Sequence, residues 1–300
     1  MASIFERSLA AITTGSGSAG LSFRCRRAMK FLVSLSERID MSTMNPVAII
    51  TGGGTGVGHA TSIALARLGY HVVVNYSRSQ SDADATVEKI LASGARAIAV
   101  QADVADDAAC RSMVATTVNT FGRVDVLVNC AGTTDFIPFQ NLDEVTDSTW
   151  ERLYKVNVVG AFHCARAVQQ PMLSAGGGMI INVSSVAAQL GQGSSIPYCC
   201  TKAALDNLTV SLARTLAPKI RVNGVAPGFI EGRWTQGGLG AKYDGIRAAY
   251  EKTLPLGRVC QPEDIADGIV SLITGSRLVT GQTLTVDAGM MISGFQVKFD

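Results

Sequence analysis

From Pro46 onward the chain alternates between two apolar patterns. Seven short runs, Val47–Thr51, Val72–Tyr76, Ala97–Gln101, Val124–Asn129, Met179–Ser184, Ile220–Val225 and Gln282–Val286, are rich in Val, Ile and Ala and mostly apolar throughout. A strand with one wet face alternates polar and apolar residues, so continuous apolar runs of this length read as strands covered on both sides. Between them lie longer stretches with helical apolar spacing, such as Val57–Leu68 and Asp106–Phe121. Strands alternating with helices predict βαβ units, a parallel sheet and right-handed crossovers that lay helices on both faces. No linker or internal repeat divides residues 45–300, so the pattern predicts one domain there.

Residues 1–44 stand apart as an N-terminal extension. The first forty hold Arg7, Arg24, Arg26, Arg27, Lys30 and Arg38 against Glu6, Glu37 and Asp40, together with a small-residue stretch over Thr13–Ser18. An organelle-targeting segment has this basic, acid-poor composition. The preferred readings are a disordered tail, or translation begun upstream of a true start at Met41 or Met44. The expected compartment is therefore the cytoplasm, with organelle import the minor alternative.

Composition narrows the function classes. Hydrophobic residues make up 47% of the chain and charged ones 17%, which excludes disorder as the main state. Lys and Arg total 26 against 24 Asp and Glu, so there is no broad basic footprint for nucleic acid. No run of 18 apolar residues predicts a membrane span. Seven scattered cysteines without a C-x-x-C pair suggest reduced thiols, and three histidines without H-x-x-x-H spacing predict no metal centre. Glycine is the outlier at 31 of 300 residues, and its placement carries the chemistry.

The first predicted strand ends in Thr51-Gly52-Gly53-Gly54-Thr55-Gly56-Val57-Gly58, and a helical pattern begins at once. Glycines at a strand-to-helix turn let backbone approach a pyrophosphate, while free N–H groups and the helix dipole attract the anion. The spacing T-G-x-x-x-G-x-G resembles the cofactor loop of the short-chain dehydrogenase/reductase family. Further motifs follow in that family's order: Asn129-Cys130-Ala131-Gly132, Asn157, Ser184-Ser185, Tyr198-Cys199-Cys200-Thr201-Lys202 and Pro227-Gly228. The resemblance spans residues 47 to about 290. It implies an α/β fold, a single Rossmann-like doubly wound domain whose seven-stranded parallel sheet has helices on both faces.

The resemblance also implies residue roles. Thr51, Gly52, Gly54, Thr55, Gly56, Val57 and Gly58 would cradle the cofactor phosphates. Asn75, Tyr76, Ser77 and Arg78 would surround the adenosine ribose, with Asp103 and Val104 at the adenine. Asn129, Ala131, Gly132, Pro227, Gly228 and Ile230 would line the remaining path to the nicotinamide, where Tyr198 and Lys202 also touch the cofactor. In catalysis Tyr198 would exchange a proton with the substrate oxygen, Ser185 would polarise the carbonyl, and Asn157 would steady a water leading from Lys202 to solvent. Tyr198 and Lys202 are four apart and share a helix face. The ammonium and the oxidised nicotinamide are expected to lower the phenol pKa from its ordinary value near 10. Cys199 and Cys200 between them read as two small buried side chains.

Two departures bear on the cofactor. The predicted second strand ends without an acid to accept from the ribose hydroxyls, and Arg78 offers a forked cation instead. That favours NADP(H) and leaves NAD(H) open. The family's threonine four residues after Gly228 is Gly232 here, which puts the nicotinamide clamp in question. Residues 229–254, with five glycines, Trp234 and Tyr243, read as a glycine-hinged lid lying ahead of the next clear helix. Small residues on the helices at 149–171 and 196–217 (Ala161, Ala165, Ala203, Ala204, Ala213) suggest faces for the homotetramer or homodimer that the resemblance implies. The expected function is NADP(H)-dependent hydride transfer to a carbonyl or from a secondary alcohol, resembling 3-oxoacyl-acyl-carrier-protein reductases, with an acyl carrier thioester among the substrates considered. An NAD(H)-linked sugar or polyol dehydrogenase is the alternative enzyme, and a non-catalytic cofactor sensor the alternative class.

Overall fold

The computed structural model describes residues 45–293, so the expectation for residues 1–44 lies outside the described residues. Seven strands form one sheet, all in parallel: β1 (Val47–Thr51), β2 (His71–Tyr76), β3 (Ala97–Gln101), β4 (Val126–Asn129), β5 (Gly178–Val183), β6 (Ile220–Pro227) and β7 (Thr283–Val286). Their spatial order is β3-β2-β1-β4-β5-β6-β7. The chain thus winds outward one way from β1 and the other way from β4. Ligands of open α/β sheets bind in the crevice at the carboxyl ends of strands where the winding reverses. Here that point is the register pair Thr51 and Asn129.

The continuous apolar runs are explained by two separate cores. Ile49, Val73, Leu127, Ile180 and Val222 face one core, while their neighbours Ile50, Val72, Val74, Val128, Ile181 and Val225 face the other. Helices α3 (Asp107–Phe121), α5 (Gly160–Ser174) and α7 (Ile196–Leu216) cover the first with Met113, Phe121, Val168, Met172 and Leu212. Helices α1 (Gly56–Arg67), α2 (Gln80–Ala92) and α10 (Pro262–Thr274) cover the second with Leu65, Ile90, Ile265 and Ile269. Each fully buried side chain of this size contributes roughly 1.5–3 kcal/mol. Among the described residues no helix is long and apolar enough to cross a membrane.

Several expectations need correction. Residues 229–254 are not an irregular segment before the next helix. They contain α8 (Arg233–Leu239) and α9 (Tyr243–Thr253), and Phe229 and Tyr250 pack with Val186, Leu254, Val259 and Met290 in a third apolar cluster. The glycines that suggested hinges sit partly inside helices, where Gly238 is needed for contact: a Cβ there would lie 1.9 Å from the Phe136 ring. Ala161, Ala165 and Ala213 are buried inside this subunit, so of the five small residues only Ala203 and Ala204 remain at the surface. β4 begins at Val126, and just before it the Asp125 side chain accepts from Val47 N at 2.8 Å and pairs with Arg123 at 2.6 Å.

Asn75, at the end of β2, borders the cleft described below and also serves as a strut. Its Oδ1 accepts from Gly52 N at 3.3 Å, and its Nδ2 donates to Val100 O at 3.2 Å and Ala102 O at 3.0 Å. One amide therefore ties the glycine turn to β3. Removing it strands several enclosed backbone groups, each costing about 1–3 kcal/mol when unpaired. Asn75→Ala should lower the unfolding free energy by at least ~2 kcal/mol, read from urea denaturation of the two proteins.

Candidate active site

At the switch point the ends of β1 and β4 are stitched by one hydroxyl. Thr51 Oγ1 accepts from both Cys130 N and Ala131 N at 3.0 Å, setting the course of the loop after β4. The turn after β1 then enters α1 through Thr55, which gives the helix no side-chain cap, so the first N–H groups point into the opening. Gly58 must be glycine for packing: a Cβ would sit 2.2 Å from the Gly52 carbonyl oxygen. Gly56 has φ +49°, in the left-handed region, with open space beside it.

A cleft of about 1420 Å³ runs from this turn along the carboxyl edge of the sheet. Its volume exceeds the roughly 300–1,000 Å³ of ordinary ligand pockets, which suits a dinucleotide plus a second molecule. Gly52, Gly54, Thr55, Gly56 and Val57 form one wall, joined by Tyr76, Ser77 and Arg78 and by Asp103 and Val104. Ala131, Gly132, Pro227, Gly228 and Ile230 continue it to Ser185, Tyr198 and Lys202. The uncapped helix, the glycine turn and the close-packed Gly58 fit a nicotinamide dinucleotide.

Four of the expected contacts are not in the wall. Thr51 and Gly58 shape the turn from behind it, as described above. Asn129 is buried in the sheet, where its Nδ2 donates to Asn182 Oδ1 at 2.9 Å and Ala161 O at 3.3 Å. Asn157 is buried too and does not reach the cleft. It accepts from Thr133 N at 2.8 Å and donates to Thr133 O at 2.9 Å and Thr201 Oγ1 at 3.1 Å, so it clamps the loop after β4 against α7. It sits in a π-helical turn, Lys155–Val159, inserted between α4 (Asp147–Tyr154) and α5. That extra residue per turn is a common device at functional sites, and helical periodicity alone does not reveal it.

α7 carries two of the candidate residues, Tyr198 and Lys202. Ser195 caps it by accepting from Tyr198 N, and Pro197 fits its first turn. Lys202 is only 5% exposed, its Nζ donating to Val183 O at 2.8 Å and lying 5.6 Å from the centre of the Tyr198 ring. Burial holds its pKa down at about 8. The Ser185 hydroxyl, oriented by accepting at 3.1 Å from Ala187 N at the start of α6 (Ala187–Leu190), is hydrogen-bonded to Tyr198. Within the protein, burial pushes the Tyr198 pKa up to about 12, and the Ser185 bond only partly offsets that. The ammonium is bonded to a carbonyl and lies over the Tyr198 ring. Cys199 is buried as expected, but Cys200 is exposed.

The substrate side was only partly visible in the sequence. The two loops expected there, around Thr133–Phe136 and Gln189–Ile196, are joined by Thr134 Oγ1 and Ser194 Oγ at 2.5 Å and by Ile137 N donating to Ser194 O at 2.9 Å. The Trp234 ring meets Tyr198 edge-on, at 6.2 Å and 90°. Phe139, Lys242, Ile246 and Met290 also line the cleft and had no motif to announce them. They arrive from distant segments, Ile246 and Met290 as members of the third apolar cluster.

Comparison with known proteins agrees with this architecture. The family model described as short chain dehydrogenase matches residues 46–238. A 3-oxoacyl-[acyl-carrier-protein] reductase from Synechocystis sp. is 39% identical over 251 residues, covering 82% of this chain and 97% of that one. A reductase of the same description from Staphylococcus epidermidis is 37% identical over 249 residues, covering 82% and 99%. Among solved structures, a 7α-hydroxysteroid dehydrogenase complexed with NADH and 7-oxo glycochenodeoxycholic acid superposes with a TM-score of 0.76 at 32% identity, covering 82% of this chain and 94% of that one. With its doubly wound sheet, its glycine turn and a Ser-Tyr-Lys group on one cleft, this chain belongs to the short-chain dehydrogenase family of nicotinamide-dependent oxidoreductases.

Proposed function

We propose that the protein is an NADP(H)-dependent carbonyl reductase that acts on 3-oxoacyl thioesters or similar small ketones, and in reverse on secondary alcohols. The observation that carries the reading is the meeting of Ser185, Tyr198 and Lys202 on the wall that continues from the glycine turn. A bound nicotinamide supplies the hydride and, when oxidised, a positive ring. Ser185 donates to the substrate carbonyl oxygen, and Tyr198, held protonated by burial, gives that oxygen its proton as charge develops. Lys202 stands behind the ring as the cation that favours the phenolate left afterwards. Asn157 acts at one remove, fixing Thr133 and α7 in place.

NADP(H) is favoured because Arg78 is exposed on the cleft wall and makes no ion pair among the described residues. A 2′-phosphate would receive its forked donors. One observation favours NAD(H) instead: the solved 7α-hydroxysteroid dehydrogenase is complexed with NADH. We place residues 229–254 over the substrate, since Trp234 touches Tyr198 and Gly238 seats on Phe136. The domain is taken as residues 45–300, acting in the cytoplasm. A homotetramer or homodimer would form through the outer faces of α5 and α7, where Phe162 and Val210 are exposed.

Tyr198→Phe should abolish reduction of a 3-oxoacyl thioester, followed by NADPH absorbance, while leaving NADPH binding within about threefold; an active variant would remove the tyrosine from the mechanism. Arg78→Ala should weaken NADPH binding by tenfold or more, about 1.4 kcal/mol, with NADH almost unaffected, as read by cofactor fluorescence titration. The buried lysine makes a prediction of the opposite sign for stability. A lysine with a depressed folded-state pKa opposes folding below about pH 8 and ceases to do so above its unfolded value of about 10.5. Lys202→Met should therefore raise the melting temperature at pH 7, lose that advantage above pH 10, and abolish turnover throughout.

A further inference from the structure

Asp82 lies in the first turn of α2, four residues beyond Arg78, and both line the cleft beside the glycine turn. The contact between α2 and that turn is close: a Cβ on Gly54 would sit 2.8 Å from Ala83 N and 3.1 Å from the Asp82 carbonyl carbon. A carboxylate in this place opposes an anionic cofactor, and it opposes one with a third phosphate most. Asp82 has one ion-pair partner among the described residues, Arg233, whose Nη2 is 3.2 Å from Oδ1. Arg233 opens α8, which follows β6, whereas Asp82 follows β2. Since β2 and β6 lie on opposite sides of the β1–β4 switch, the pair bridges the two walls of the crevice.

Both side chains are partly exposed, at 71% and 34%, so the pair adds little to stability. Its effect is on the charge that a cofactor meets. Arg78 and Asp82 alone sum to zero, and with Arg233 seated on Asp82 the three groups carry a net positive charge. We propose that Arg233 determines cofactor choice: by neutralising Asp82 it lets the Arg78 corner accept the 2′-phosphate of NADP(H). Because Arg233 belongs to α8, this selectivity holds only while the 229–254 segment lies across the cleft. The inference rests on the NADP(H) reading given above. It differs from a direct contact between Arg233 and the pyrophosphate, which would strengthen both cofactors alike.

The test is direct binding of NADPH and NADH to the full chain and to Arg233→Gln, Asp82→Asn and the double variant, with circular dichroism to verify folding. Arg233→Gln is expected to weaken NADPH by about fivefold, the factor for an uncompensated unit charge near 4 Å in water-like surroundings, and NADH by less than twofold. Adding Asp82→Asn should restore NADPH affinity, because the repelling group is then gone. Equal weakening of both cofactors, or a double variant as weak as Arg233→Gln, overturns the proposal. An unmodified protein that prefers NADH overturns the NADP(H) reading and this inference with it, whereas a preference for NADPH that survives Arg233→Gln overturns this inference alone.

Discussion

The winding reversal between β1 and β4 is the constraint on which the rest depends. A parallel sheet covered on both faces has no room for a ligand except at its carboxyl edge, where consecutive connections leave in opposite directions. A gap of this kind would leave backbone groups unpaired. Thr51 closes it from below with two accepted N–H bonds, and the Asn75 amide closes it from the side. Some residues that look like ligand contacts in the motif are also the masonry of that gap. The side chains of Thr51, Asn75, Asn129 and Asn157 are occupied by the protein itself, and what they leave for a dinucleotide is an edge of free N–H groups and glycine surface.

The same economy governs the catalytic group. A lysine ammonium taken out of water with one carbonyl partner is unfavourable, and its pKa falls accordingly. A phenol buried beside it rises rather than falls. The phenol is thus held neutral, the state that the proposed proton donation to a nascent alkoxide would need. Positive charge from an oxidised nicotinamide would bias the pair the other way.

The sheet, its parallel sense and its helices on both faces were legible because double burial writes itself as unbroken Val and Ile runs, and because the glycine turn sits where a strand becomes a helix. The meeting of Ser185, Tyr198 and Lys202, the group proposed as catalytic, on one cleft was legible through spacing and motif order. Other features were hidden for physical reasons. Helical content in residues 229–254 was masked by Gly237, Gly238 and Gly245, which read as breakers when close packing on Phe136 explains one of them. The inward side of Ala161, Ala165 and Ala213 depends on which helix face meets the sheet, and small residues fit either face. The rise of the tyrosine pKa turns on how deeply the folded chain buries the phenol, which no pattern of letters encodes.

The π-helical turn at Lys155–Val159 has a consequence for how this chain tolerates change in length. One added residue advances a helix by about 100°, so α4 and α5 present faces that an unbroken helix through the same positions would not. Asn157 lies within that slip, and its three hydrogen bonds hold the phase. Shortening the segment by one residue would keep every side chain needed for the site and every element of the sheet, yet rotate the clamp away from Thr133. The chain is therefore more sensitive here to the count of residues than to their identity, the reverse of its behaviour at exposed turns.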